Sequence, residues 1–297
     1  MKTAAVTRDA LRARLHESGI KVRLLLRNNL AKVCVAFIVL EILLGLLAPV
    51  VAPYPQDIGG AIHPENTLKA PSLSHPFGTD EFGRDIFSRV LFGARISLGA
   101  AAAAVGLALL VGVPLGALAG GLGGIVDDVI MRICDVFLSF PGVLLAIGIA
   151  VFLGPSLRNA ILAIVISWWP WYTRLLRNQA VSLRERQFVR SAKAIGSNRR
   201  MIVFRHIVPN SIGPVIVQAS LDFGAVILTL AALSFLGLGA QSPTPEWGLI
   251  VNTSRNFFLD AWWYMVFAGL AITFTVLAFN ILGDGIREVL DPKSRND

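Results

Sequence analysis

Between residues 33 and 282 the sequence keeps returning to apolar runs of about the length that crosses a bilayer. A spanning helix needs about 20 such residues, because no water is present to satisfy its backbone polar groups. Runs over 33–51, 96–119, 212–238 and 261–282 approach or reach that length. A shorter one covers 160–172, and another ends at Leu153 with Pro141 inside it. The recurrence points to an all-α polytopic membrane protein with six transmembrane helices and both termini cytoplasmic. Hydrophobic residues make up 55% of the 297 and charged residues only 15%, with a mean hydropathy of +0.66, which excludes a soluble domain of this size.

Charge sets the orientation. Residues 1–32 carry Lys2, Arg8, Arg12, Arg14, Lys21, Arg23, Arg27 and Lys32 against Asp9 and Glu17, a bias that retains such a segment in the cytoplasm. Within it, Arg12–Arg27 suits either an interfacial amphipathic helix or a solvated basic arm. The net charge of +8 is therefore a topology signal and calls for no nucleic acid. The chain divides into a basic arm (1–32), a first span with an external loop (33–94), a five-helix core (95–283) holding a cytoplasmic loop (174–210), and a cytoplasmic tail (284–297). Cys34 and Cys134 lie at membrane ends or inside spans without close partners, so neither a disulfide framework nor a zinc site is implied.

Two acids interrupt the apolar runs. Glu41 and Asp222 are costly at membrane depth and must face protein or a water-filled cavity, so each is a candidate for the transport path or for an interhelix hydrogen bond. The external segment from Gly78 to Arg95 reads as ordered: Thr79 or Asp80 can cap a helix, and Asp85 with Arg89 is spaced as an i,i+4 pair. It is expected to lie on the membrane surface before the chain turns inward. The run Gly99–Gly106 is rich in small residues and suits close helix contact. Asp128, Arg132 and Asp135 share a helix face as an internal ion-pair cluster. Trp168, Trp169, Trp171 and Tyr172 suit an interfacial aromatic belt.

The loop Gln187–Asn210 is the most distinctive stretch. Between Arg174 and Arg205 the only acid is Glu185, against Arg174, Arg177, Arg184, Arg186, Arg190, Lys193, Arg199, Arg200 and Arg205. Val181, Phe188, Ala192 and Ile195 step along one expected helix face. Gly196 then suits a left-handed stop, Ser197 can cap the next helix, Met201–Phe204 is apolar, and Pro209 ends it. A basic loop resting on anionic lipid needs the charge but not this helix–glycine–helix elbow, which favours docking to a partner.

No metalloprotease, C-x-x-C or G-x-S-x-G motif occurs, and His16, His63, His75 and His206 are scattered, so no catalytic, cofactor or metal site is implied. There is no G-x-x-x-x-G-K-[ST] either, so energy for transport comes from elsewhere.

The loop resembles the EAA motif of bacterial ABC importer permeases: E-A-A, three residues, a glycine, nine residues, then an ending of apolar character with proline. Ala192, Gly196 and His206-Ile-Val-Pro209 match in spacing, while Arg190 stands at the usual Glu and Ser191 where Ala is common. Gly78–Arg89, Leu233–Gly248 and Leu277–Pro292 resemble stretches of the dipeptide, oligopeptide and nickel importer permeases, C-type subunit. The resemblance covers about residues 30 to 293. It implies residence in a bacterial or archaeal cytoplasmic membrane, with a B-type permease, two cytoplasmic ABC ATPases and an extracytoplasmic substrate-binding protein as partners. It further implies that Arg190, Ser191, Ala192, Ile195, Gly196, Ser197, Arg199, Arg200, His206 and Pro209 belong to the ATPase-coupling element. Asp80, Arg84, Asp85, Arg89, Glu246 and Trp247 become candidates to meet the binding protein. Dipeptides, longer peptides, glutathione-like peptides and nickel complexes all fit that subfamily.

Overall fold

The structure is a computed structural model that describes residues 28–290. The basic arm, with its Arg12–Arg27 segment, and residues 291–297 lie outside the described residues. Helix α1 (Asn29–Val51) begins where the Asn28 side chain accepts from the Leu30 and Ala31 amides. Two 3-10 turns, Pro55–Ile58 and Pro64–Asn66, lead to α2 (Ile86–Leu122), 37 residues long. At 1.5 Å per residue α2 extends about 55 Å, well beyond a hydrocarbon core of about 30 Å. The segment expected to lie flat on the surface is thus, from Ile86 onward, the start of a long helix. Asp85 caps it by accepting from the Ser88 amide at 2.7 Å, in place of the expected Thr79 or Asp80.

Gly123 and Gly124, both at positive φ, turn the chain into α3 (Ile125–Leu138). Pro141 separates α3 from α4 (Gly142–Leu153), and the two are bent by 85°. Helix α5 (Leu157–Arg184) leads to α6 (Gln187–Ala194) and α7 (Arg199–Ile202). A π-turn over Val203–Ile207 then carries the chain into α8 (Val208–Phe235), followed by α9 (Trp247–Ser254) and α10 (Trp262–Leu290). Pro209, expected to stop a helix, sits in the first turn of α8, where its missing N–H costs nothing.

The described chain is helical, and α1, α2, α8 and α10 are each long and apolar enough to cross a membrane. The bent pair α3–α4 makes a fifth span if counted as one. Helix α5, one of the six expected, does not reach that standard because its second half carries Arg174, Arg177 and Arg184. Its surroundings explain this: α5 packs against α2, α4 and α8, and Ala160, Ala163, Ile164, Leu176 and Ala180 are fully buried. A helix enclosed by protein needs less apolar surface than one facing lipid.

The small-residue run that the sequence suggested supplies only part of the α2–α5 contact. Alanines 100, 101 and 104 are buried, but a Cβ at Gly99 or Gly106 would meet open space. The close approach lies further on, at Gly112, Gly116 and Gly120. There an added Cβ would come within 2.7, 2.5 and 2.5 Å of atoms of α5.

The expected Asp128–Arg132–Asp135 cluster is also rearranged, because the acids of α3 reach across to the arginines of α5. Asp127 takes both prongs of Arg177 (2.9 and 2.6 Å), a charge-assisted fork, and Asp135 pairs with Arg174. Asp128 and Arg132 point outward and are exposed.

Candidate functional site: the elbow, the platform and two buried acids

The chain breaks at Glu185–Arg186, between α5 and α6, and that break resets the helical phase. Val181, Phe188, Ala192 and Ile195 therefore do not share a face: Ala192 is buried, while Phe188 and Ile195 are exposed. Val189 and Ala192 instead turn inward and, with Ile202, Val203 and Ile207, pack on Ala117 of α2 and on Leu176 and Ala180 of α5. Val189 is the residue that periodicity across the break missed.

The elbow takes its expected left-handed turn at Gly196, but the second helix begins at Arg199, so the capping position expected of Ser197 falls at Asn198. Gly196 adopts φ +84°, and the Ser197 amide donates to the Ala192 carbonyl at 3.1 Å, the Schellman closure of a helix end. Ser197 thus closes the first helix with its backbone. The outer side of the elbow exposes Phe188, Ile195, Met201 and Phe204 beside Arg190 and Ser191. Arg190, at the position where an acid was expected, pairs with Glu185 at 2.9 Å; both side chains are about two-thirds exposed, so the pair adds little stability. The side chains of Arg199, Arg200 and His206 lie outside the described ones.

At the other end of the bundle, residues 53–85 and α9 form a polar platform. Asp80 Oδ2 pairs with Arg84 (2.7 Å) and Arg89 (3.5 Å), while Oδ1 accepts from the Phe82 and Arg84 amides. Asp85 bonds His75, not the expected Arg89, and its own amide donates to Asp57, which also holds His63. Glu246 caps α9 through the Gly248 and Leu249 amides and accepts from Ser97 Oγ. Burial pushes its carboxyl above the usual range. Trp247 donates its indole N–H to the Val90 carbonyl at 2.9 Å. The six side chains expected to meet a partner here (Asp80, Arg84, Asp85, Arg89, Glu246 and Trp247) are at most 4% exposed. They brace the platform from inside and leave its outer surface to others. Asp57, His63 and His75 were not anticipated, because their partners are brought together only by the folded loop.

The structure does not bring the two membrane acids together. Glu41 accepts from the Thr275 hydroxyl of α10, the interhelix bond that the sequence left as one of its alternatives. Asp222 of α8 accepts from Gln218 at 2.9 Å and lies against Tyr172 of α5. Its second oxygen and the Tyr172 hydroxyl are buried without a well-formed hydrogen bond. Tyr172, expected in an interfacial belt, is thus fully buried against a carboxyl group. The helix entering the elbow and the helix leaving it meet again at this pair.

A family profile described as binding-protein-dependent transport system inner membrane component matches residues 112–296, and one for the N-terminal membrane domain of oligopeptide transport permease C matches residues 21–71. The chain belongs to the binding-protein-dependent transport permeases. Among its relatives, the dipeptide transport system permease protein DppC of Alkalihalophilus pseudofirmus is 48% identical over 91% of this chain and 88% of its own length. The probable D,D-dipeptide transport system permease protein DdpC of Escherichia coli is 46% identical, covering 93% and 92%. A glutathione transport system permease protein, GsiD of Escherichia coli, is 44% identical, covering 96% and 92%. The fold is shared with a solved inward-facing MetNI methionine ABC transporter, at 18% identity and a TM-score of 0.56, over 69% of this chain and 98% of the other. This permease is accordingly a membrane component of an ABC importer.

Proposed function

We propose that this permease forms half of a translocation path with six spans and both termini cytoplasmic. In this reading a homologous B-type permease supplies the other half, two separate ABC ATPases supply the energy, and an extracytoplasmic binding protein delivers the solute. The solute class is peptides or a related small molecule, since relatives above 40% identity are named for dipeptides and glutathione. The elbow over Arg190–Ile202 is the coupling element and belongs to the cytoplasmic loop 174–210.

One observation carries this reading: the elbow has two faces. Its inner face is locked to α2 and α5 by Val189, Ala192, Ile202, Val203 and Ile207, so a push on it moves those helices. Its outer face offers Phe188, Ile195, Met201 and Phe204, an apolar surface suited to a protein cleft. A partner can shift the permease only if it binds this face differently in two states. Ile195, 84% exposed, is the best single test. In the complex reconstituted with its ATPases, Ile195→Asp should reduce ATP-driven uptake at least about tenfold, the effect of losing one interface anchor worth about 1.4 kcal/mol or more. Unchanged uptake with normal ATPase association would remove the elbow from the coupling role.

Asp222 is the stronger of the two pathway candidates, because it lies where the helices entering and leaving the elbow meet, while Glu41 binds Thr275 on another side of the bundle. Asp222→Asn keeps the shape and replaces the carboxyl facing Tyr172 with an amide that cannot ionise. It should change uptake rate or solute preference by about two- to thirtyfold, the span of coupling energies of about 0.5–2 kcal/mol. Identical rates and preference would make Asp222 a structural residue. At the platform, the proposed binding-protein contact is made by exposed residues such as Ile62 and Leu73, with the six buried side chains holding their loop in place.

A further inference from the structure

A cavity of about 350 Å³ lies between α1, α2 and α10, away from both the elbow and Asp222. Phe37, Phe77, Phe87, Phe267, Phe274 and Trp247 form much of its wall. We infer that it is a binding site for one acyl chain of a bilayer lipid, taken from the leaflet on the platform side.

Three observations lead there. All three helices around the cavity are candidate membrane spans, so the solvent at its mouth is hydrocarbon. The lining runs from Phe87 to Ala94 on α2 and from Phe267 to Phe274 on α10, about 10 Å along each axis at 1.5 Å per residue. The slot thus starts beneath the platform and descends towards mid-membrane, as a lipid chain does. Leu40, Leu270 and Phe274 are 54%, 41% and 51% exposed, and they make an apolar opening between α1 and α10.

Charge complementarity selects among occupants. Glu41 is the only ionisable residue in the wall. Its Oε1 is held by Thr275, while its Oε2 is buried without a hydrogen-bond partner. The wall therefore offers a peptide no cation to meet its carboxylate, and away from Glu41 it is apolar. A neutral chain matches this surface and gains the dispersion contacts that an empty space forfeits. The volume falls within the range of built small-molecule sites.

The test uses the assembled transporter in lipid nanodiscs containing phospholipid with a diazirine on its acyl chain. After illumination, peptide mapping should find adducts concentrated at Leu40, Leu44 and Phe267–Phe274, above those at Val39 and Leu46 on the opposite, exposed face of the same α1. Ala271→Leu, which fills the slot, should cause loss of the concentrated adducts and leave those at Val39 and Leu46 unchanged. Ala94→Leu, which fills it from α2, should do the same if Ala271→Leu fails to assemble. Adducts spread evenly along α1, or insensitive to both fillings, would overturn the assignment. So would a disulfide from Leu270→Cys to the second permease subunit, since a protein chain would then cover the mouth.

Discussion

Uptake through a Gly196→Pro variant should fall about a hundredfold, while the subunit still inserts in the membrane. Gly196 sits at φ +84°, and proline holds φ near −65°, so the elbow cannot close in its present form. An incompatible backbone at such a point costs about 3 kcal/mol, which is about a hundredfold in the population of the correct elbow. The Schellman bond from Ser197 to Ala192 would be lost with it, and the outer apolar residues would face new directions. The environment permits a graded control, because a Cβ at Gly196 meets nothing within 4 Å. Any effect of Gly196→Ala is therefore conformational and not steric, and should correspond to the cost of about 1–2 kcal/mol for a left-handed L-residue. Asn, which tolerates that region, should lie closer to wild type. ATP-driven uptake and ATP hydrolysis measured together on reconstituted complexes would show Pro well below Ala, and Ala below Asn. Equal activity across the three would mean that the turn does not transmit force.

The elbow was legible because it is local. A glycine after a helix, a small polar residue behind it and a basic surround are written in adjacent residues, and the backbone follows them. The error in its face assignment is also local: the two-residue break at Glu185–Arg186 shifted the phase, so Ala192 turned inward with Val189 while Phe188 and Ile195, expected on the same face, are exposed. Contacts that depend on distant segments were not legible. Asp85 had a sequence neighbour of opposite charge in Arg89, yet His75 and the Ser88 amide took its oxygens while Arg89 went to Asp80. Asp127 and Arg177 lie fifty residues apart and find each other only because α3 folds back along α5. Helix α5 resisted reading by hydropathy for the same reason, since its neighbours and not the lipid decide what its surface must be.

Those features converge on the seam between α2 and α5, where a single side chain should have a large structural effect. Gly116→Leu should lower the stability of the permease by at least about 3 kcal/mol, the upper part of the range for overpacking a close contact. A Cβ at residue 116 would sit 2.5 Å from the Thr173 carbonyl oxygen and 2.9 Å from the Leu176 Cβ. The first obstacle is backbone and cannot rotate away. Gly112 and Gly120 meet α5 one helical turn to either side, at 2.7 and 2.5 Å, so α5 cannot slide along α2 to make room. It can only move outward, and that separation would break the Thr173 hydroxyl bond to the Gly112 carbonyl. It would also unseat Leu176 and Ala180, the floor on which the elbow rests. Thermal unfolding of the purified complex should show the loss, and protease cleavage in the 185–200 loop should rise with it. Gly106→Leu, on the same helix with nothing within 4 Å of its Cβ, is the matched control and should leave both readings near wild type. If the two variants behave alike, helix propensity and not close approach governs this seam. A drop confined to Gly116→Leu would place the rigidity that the elbow needs in the α2–α5 contact.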